Sequence, residues 1–177
     1  MNYLQIEKTS ISNGPGVRVV LWVAGCSIHC KGCQNPSTWD YNSGKLFDET
    51  AKQKLFEALD KPYIRGITFS GGHPLENENV ETIYNLIVEI RQKFPSKDIW
   101  LYTGYTWDSL FFEEDNLKEI CYDQTRRAVM LECDVVVDGA YKESLRDITL
   151  KYRGSKNQRL IDVKKTFEQG EVITIQN

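Results

Sequence analysis

The sequence predicts an α/β protein, a partial, open β/α barrel built on a mainly parallel sheet. Three observations carry that expectation. Apolar, β-branched runs alternate with segments of helical periodicity. Each run ends in a short turn rich in glycine or polar residues. The 177 residues fall short of the ~200 that a closed eightfold barrel needs. Strand–helix–strand alternation places successive strands parallel through right-handed crossovers.

Gly14-Pro15-Gly16 is a turn signal, and Val17–Val23 (V-R-V-V-L-W-V) after it reads as a largely buried strand. A cysteine-bearing loop follows that strand directly. Beyond a polar stretch with Asn42-Ser43-Gly44, a helix is expected from an Asp48 cap to Leu59, because aspartate accepts from the free N–H groups of a first turn. Gly66–Ser70 is the second strand and runs into Gly71-Gly72-His73-Pro74. Val80, Ile83, Tyr84, Ile87, Ile90 and Phe94 recur on one helical face, and Pro95 closes that helix. Asp98–Thr103 is the third strand, followed by Gly104-Tyr105. Leu117, Ile120 and Cys121 suggest a further helix toward Arg126-Arg127. Asp134–Asp138 is the fourth strand. Gln158–Val163 and Glu171–Ile175 are further strand candidates, with Arg153-Gly154 in a loop. No repeat, linker or low-complexity tract interrupts the chain, so one domain over residues 1–177 is expected.

Lys and Arg number 22 against 25 Asp and Glu, a net charge of −3. That balance argues against a nucleic-acid partner, which selects a basic footprint. No apolar stretch approaches the ~18 residues needed to span a bilayer. Met1-Asn2-Tyr3-Leu4-Gln5 lacks the basic-then-apolar order of a secretion signal. No membrane association and a cytoplasmic location are therefore expected. Of five cysteines, three stand within residues 26–33, whereas a disulfide framework uses an even, dispersed set. Cys121 and Cys133 stand alone and read as free, buried thiols.

The clustered cysteines carry the chemistry. Cys26, Cys30 and Cys33 lie in C-S-I-H-C-K-G-C. Three thiolates at spacings of four and three can hold three corners of a cubane iron–sulfur cluster and leave one iron open. An open position is where a metal site reacts instead of merely bracing a fold. The alternative is a zinc-stabilised interaction domain without catalysis. Structural zinc prefers four ligands at wider spacing, and His29 is wedged between its would-be partners. With only His29 and His73 in the chain, a multi-histidine centre is excluded, and no Ser/His/Asp arrangement suggests hydrolysis. Gly71 and Gly72 let the main chain approach a ligand closely, or simply make a tight turn. The cysteine loop, this turn, Thr103-Gly104-Tyr105 and Asp138-Gly139 all follow strands. In parallel β/α sheets, ligands bind at that end.

C-x-x-x-C-x-x-C after a first strand resembles the signature of radical S-adenosylmethionine (SAM) enzymes, with Gly32 where many members carry an aromatic residue. Six further stretches narrow the likeness: Asn13–Arg18 (N-G-P-G-V-R), Cys30–Trp39 (C-K-G-C-Q-N-P-S-T-W), Ser70–Leu75 (S-G-G-H-P-L), Asp98–Tyr105 (D-I-W-L-Y-T-G-Y), Val135–Gly139 (V-V-V-D-G) and Arg153–Arg159 (R-G-S-K-N-Q-R). Together they resemble the glycyl-radical-generating activases of anaerobic ribonucleoside-triphosphate reductase. The resemblance implies the radical SAM type of open barrel and an oxidoreductase of the formate-C-acetyltransferase-activating type. It also implies one [4Fe-4S] cluster on Cys26, Cys30 and Cys33, SAM as cofactor, the reductase as protein substrate and a reduced flavodoxin-type electron donor. It assigns SAM contacts to Gly32, Cys33 and Gln34, and to Ser70, Gly71, Gly72 and His73, with His73 at a position that is usually acidic. Tyr105 and Asp138 are candidates for adenine stacking or ribose contact, or for structural roles. Arg153, Lys156 and Arg159 would meet the partner or form an ordinary solvated face. The alternative within the same chemistry is a small-molecule enzyme of the deazapurine synthase kind.

Overall fold

The computed structural model describes residues 1–112 and 120–176. Its elements in chain order are β1 (Asn2–Ser10), β2 (Val17–Val23), β3 (Lys45–Leu46), α1 (Glu49–Leu59), β4 (Ile64–Gly71), α2 (Asn77–Lys93), β5 (Asp98–Tyr102), α3 (Trp107–Phe111), α4 (Ile120–Leu131), β6 (Val135–Asp138), β7 (Arg159–Asp162) and α5 (Val163–Gln169). All seven strands join one sheet in the order β3-β1-β2-β4-β5-β6-β7. The four strands β2, β4, β5 and β6 run parallel. Antiparallel strands border them on both sides, β1 and β3 at one edge and β7 at the other. The parallel strands therefore end together at Val23, Gly71, Tyr102 and Asp138, and the loops that follow share one rim.

Side chains alternate across a strand, and the two faces of this sheet differ. Val19, Leu21, Val23, Ile67, Phe69, Ile99, Leu101, Val136 and Ile161 pack against the helices, with Leu55, Leu59, Ile83, Ile87, Ile90 and Met130 among the fully buried partners. On the other face Trp100, Val135, Val137 and Leu160 form a smaller cluster bordered by Tyr102, Tyr152 and Ile175. That face also holds Arg18, which is fully buried. Its guanidinium meets Asp98 Oδ1 at 2.5 Å, donates to Thr68 Oγ1 and the Ile67 carbonyl at 2.9 Å each, and lies 5.3 Å from the Trp100 ring centroid. Thr68 Oγ1 in turn donates to the Asn13 carbonyl at 2.8 Å. Burial pulls the Arg18 pKa down and Asp98 opposes it; the group stays cationic. The Asn13–Arg18 stretch is thus a strut that ties the β1–β2 turn to β4 and β5.

The expected first helix is present with its cap: Asp48 Oδ1 accepts from the Ala51 N–H at 2.8 Å. Asp48→Ala is expected to cost about 1 kcal/mol, read as a lower denaturant midpoint at unchanged slope. The strands expected at Val17–Val23, Gly66–Ser70, Asp98–Thr103 and Asp134–Asp138 form within a residue or two of those limits. Differences concentrate at the edges. Strand β1 is half-exposed along most of its length and lacks the apolar pattern that marks a strand in sequence. Strand β7 is antiparallel because residues 139–158 return without a crossover helix. Glu171–Ile175 is not a strand; it contributes one bridge, Thr174 to Ile161, after Gly170 ends α5 in the left-handed region at φ 70°. Helices α3 and α5 were not expected. Thr106 and Asp162 cap them by accepting from the N–H groups of Ser109 and Lys165. Leu117 lies outside the described residues, as does the Cys121 side chain. Cys133 is buried as expected, its thiol donating to the Val129 carbonyl at 3.1 Å. No helix among the described residues is long and apolar enough to cross a membrane.

Candidate metal and cofactor site

The cysteine loop leaves β2 through a tightly bonded neck. Gly25 N–H donates to the Thr38 carbonyl at 2.8 Å and Cys26 N–H to the Trp39 carbonyl at 3.1 Å. His29 at φ 47° and Gly32 at φ 73° occupy the left-handed region, which lets the chain coil between them. His29 is held there by stacking on Trp39 at 4.6 Å. Cys33 N–H closes a turn on the Cys30 carbonyl at 3.0 Å, and Asn35 N–H donates to Cys33 Sγ at 3.3 Å. The thiols of Cys26, Cys30 and Cys33 are free and half-buried. Burial pushes the Cys26 thiol up against opposing bonds from the backbone at His29 and Ile28, so thiolate formation accompanies metal binding.

The donor set fits a cluster. Three soft thiols with a backbone N–H already aimed at one sulfur are the ligands iron–sulfur centres use. Among the described residues no three His, Cys, Asp or Glu side chains converge on a single-ion position.

The Gly-Gly turn presses against the neck of this loop. Gly72 N–H donates to the Val23 carbonyl at 2.8 Å and His73 N–H to the Gly25 carbonyl at 2.7 Å. Gly71 sits at φ 103°, and a Cβ on Gly72 would stand 2.4 Å from the Gly25 oxygen. Gly72→Ala is therefore expected to cost about 1–3 kcal/mol through forced displacement, read as a lower melting temperature of the apoprotein.

A buried polar network joins the same turn to the same loop. Glu76 Oε1 accepts from the Ser27 N–H at 2.9 Å, the Ser27 hydroxyl at 2.8 Å and His73 Nδ1 at 3.0 Å. Its Oε2 accepts from the Tyr41 hydroxyl at 2.9 Å. His73 Nε2 lies 2.8 Å from Thr103 Oγ1, which also accepts from the Tyr105 N–H. The ionised Glu76 carboxylate can only accept, so the imidazole proton resides on Nδ1, and Nε2 of the neutral ring accepts from the Thr103 hydroxyl. Burial lowers the His73 pKa and keeps the ring neutral. Burial alone would raise Glu76, but the bonds from His73 and Ser27 outweigh it and hold the carboxyl at about 2. A depressed carboxyl adds stability above its ordinary value near 4.5, and that stability is lost as pH falls toward 2. Acid titration of the apoprotein is expected to show this loss, on the order of 2 kcal/mol, and Glu76→Gln to flatten it.

A cavity of about 530 Å³ opens at the rim, and Cys33, Gln34, Ser70, Trp22, Tyr102 and Arg153 line it. Three of the expected cofactor contacts, Cys33, Gln34 and Ser70, share this cavity. Gly32, Gly71, Gly72 and His73 are not among its lining residues. Gly32 is exposed beside Glu143, and the His73 ring is turned inward at 1% exposure. Tyr105 packs edge-on against His73 at 4.6 Å. Asp138 is fully buried, accepting from the Trp107 N–H at 2.8 Å and pairing with Arg159 at 2.6 Å. Both hold neighbouring structure. Lys156 pairs with Asp147 at 3.5 Å. A larger groove of about 890 Å³, lined by Trp100, Cys133, Val135 and Phe167 among others, contains no residue of the cysteine loop.

Residues 12–161 match the family described as "4Fe-4S single cluster domain". Over 160 residues the chain is 42% identical to the anaerobic ribonucleoside-triphosphate reductase-activating protein of Enterobacteria phage T4, covering 90% of this chain and 93% of that one. It is 39% identical to the proteins of that name from Haemophilus influenzae and Escherichia coli K12, covering 89% of this chain and 96% of theirs in each case. The chain belongs to the anaerobic ribonucleoside-triphosphate reductase-activating protein family. Membership and the three neighbouring cysteines together support a single 4Fe-4S cluster. In this activating-protein family member Glu76, Ser27 and Tyr41 belong to the site without a motif that marks them in the sequence. The available signal was an acid three residues after His73 at the cap position of α2, whose side chain makes no cap bond.

Proposed function

We propose that this protein is a radical SAM activase that generates a glycyl radical on anaerobic ribonucleoside-triphosphate reductase. One observation carries the reading: the loop with three free thiols opens, through Cys33 and Gln34, into the same cavity as Ser70 and the aromatic side chains of β2 and β5. The family supports the choice of partner, since its members are named for activating that reductase.

Cys26, Cys30 and Cys33 would hold the cluster, which when bound supplies the electron that splits the sulfonium C–S bond of SAM into methionine and a 5′-deoxyadenosyl radical, the agent that takes hydrogen from a glycine Cα. Gln34 and Ser70, which both line the cavity, offer polar groups to SAM. The main chain at Gly71–Gly72 backs this wall, and His73 acts through its backbone and through Glu76 instead of touching the cofactor. Trp22 and Tyr102 wall off water. Each is held rigidly, Trp22 Nε1 donating to Glu7 at 3.1 Å and the Tyr102 hydroxyl to the Tyr152 carbonyl at 2.7 Å. Burial raises the Tyr102 pKa, so the phenol stays protonated and bonded.

In this reading the sheet acts as an open barrel in one domain, its unclosed side admitting the reductase's glycine segment. A reduced flavodoxin-type carrier in the cytoplasm delivers the electron. The test is anaerobic incubation of reconstituted protein with SAM, reductant and the reductase, followed by electron paramagnetic resonance. A glycyl doublet on the reductase is expected. 5′-Deoxyadenosine without that doublet would redirect the reading to a small-molecule radical SAM enzyme, and one bound zinc with no SAM cleavage would end it.

A further inference from the structure

We propose that Glu76 is a positioning residue: its carboxylate locks the cysteine loop in register with the Gly71–His73 turn and, through its charge, sets the electron affinity of the cluster held there. The inference rests on the cluster reading above and names a residue that reading does not use.

Glu76 is 6% exposed, and its two oxygens accept four hydrogen bonds from three separate segments: two from Ser27 in the cysteine loop, one from Tyr41 beyond it, and one from His73 in the turn. Ser27 directly follows Cys26, so the carboxylate is anchored one residue from the first thiol. His73 extends the chain of bonds to Thr103 at the end of β5. Asn79 adds a parallel tie, its side-chain amide donating to the carbonyls of Ala24 at 2.8 Å and His73 at 3.1 Å. A helix cap would be the ordinary use of an acid at this position, yet Glu76 caps nothing. It is instead bonded to both the thiol-bearing loop and the turn, and these must keep a fixed separation if a cofactor is to bridge them. Partners that orient metal ligands in this way commonly govern metal affinity. The neutral His73 leaves the carboxylate charge uncancelled within the pair. Arg126 of α4, whose charge reaches His73, is engaged with the Leu75 carbonyl at 3.0 Å and Asp123 at 2.5 Å. A buried negative charge beside a redox centre opposes the arriving electron.

Two variants separate geometry from charge. Glu76→Gln keeps an acceptor for Ser27 and removes the charge; Glu76→Ala removes both. Each is measured by apoprotein melting, iron retention against a chelator, the cluster midpoint potential and the 5′-deoxyadenosine yield with SAM. In E76Q the potential is expected to rise and iron retention to stay near the unmodified protein, while melting at neutral pH falls by the stability the ionised carboxylate supplied. In E76A iron retention is expected to fall about 10-fold or more. Ser27→Ala, which removes one bond and no charge, is expected to weaken retention without moving the potential. An E76Q protein that folds and keeps the original potential overturns the charge role; E76A with unchanged iron retention and yield overturns the positioning role. If the unmodified protein binds iron but never cleaves SAM, the proposed function fails, and the retention and potential comparisons still decide the role of Glu76.

Discussion

Changing any one of Cys26, Cys30 and Cys33 to serine is expected to abolish glycyl-radical formation, the largest functional loss available in this chain. The reason is the ligand count. Three thiols stand in the loop, the number of protein ligands that a cubane cluster with one open iron takes. A serine hydroxyl is a poor substitute for a soft thiolate toward iron. Iron content after anaerobic reconstitution is expected to drop from about four atoms per chain toward background, with loss of the charge-transfer absorption and of 5′-deoxyadenosine production. Cys33→Ser should be the most severe, because Cys33 both faces the cavity and receives the Asn35 N–H. Cys133→Ser serves as the control, since that thiol is buried away from the loop and bonded within α4. A triple-cysteine variant that still cleaves SAM would sink the proposal outright.

The largest loss of stability is expected from Arg18→Ala. The guanidinium is fully enclosed and bound to Asp98, Thr68 and two backbone carbonyls, with Trp100 across its face. Its removal strands Asp98, whose remaining cation is Arg65 at 2.9 Å, and takes away the side-chain donors to the Pro15 and Ile67 carbonyls. Breaking a buried pair from one side typically costs about 3–5 kcal/mol. For a chain of this size that lowers the melting temperature by roughly 10 °C. Coupling is the sharper check: R18A/D98N should recover part of the loss, because the unpaired charge is gone, and the cycle should yield a clear interaction energy. An R18A protein within about 1 kcal/mol of the original would show that the strut carries no weight.

This strut illustrates how far the sequence could be read. Asn13–Arg18 stood out as a motif, but nothing in it said that Arg18 points inward, since an arginine in an apolar run is compatible with either face. The neighbouring strands were legible because Val17–Val23, Gly66–Ser70 and Asp134–Asp138 are apolar runs bounded by turns. Helices α1 and α2 were legible through an aspartate cap and a periodic apolar face. Strand β1 and the direction of β7 were not, because edge strands are half-solvated and their pairing depends on partners distant in sequence. Glu171–Ile175 shows the converse: β-propensity that meets β7 over only a short stretch yields one bridge.

Sequence alone determined the chemistry's raw material, three thiols at fixed spacing in one loop and a pair of glycines after a strand, because ligand identity and conformational freedom are local properties of residues. Tertiary structure decided which of the expected contacts share a cavity. It brought Gln34 and Ser70 to one cavity, turned His73 inward, and spent Asp138 on Arg159. It also delivered Glu76 to Ser27 across 49 residues. Such pairings arise where burial forces polar groups to find one another, and that compulsion exists only once the chain has folded.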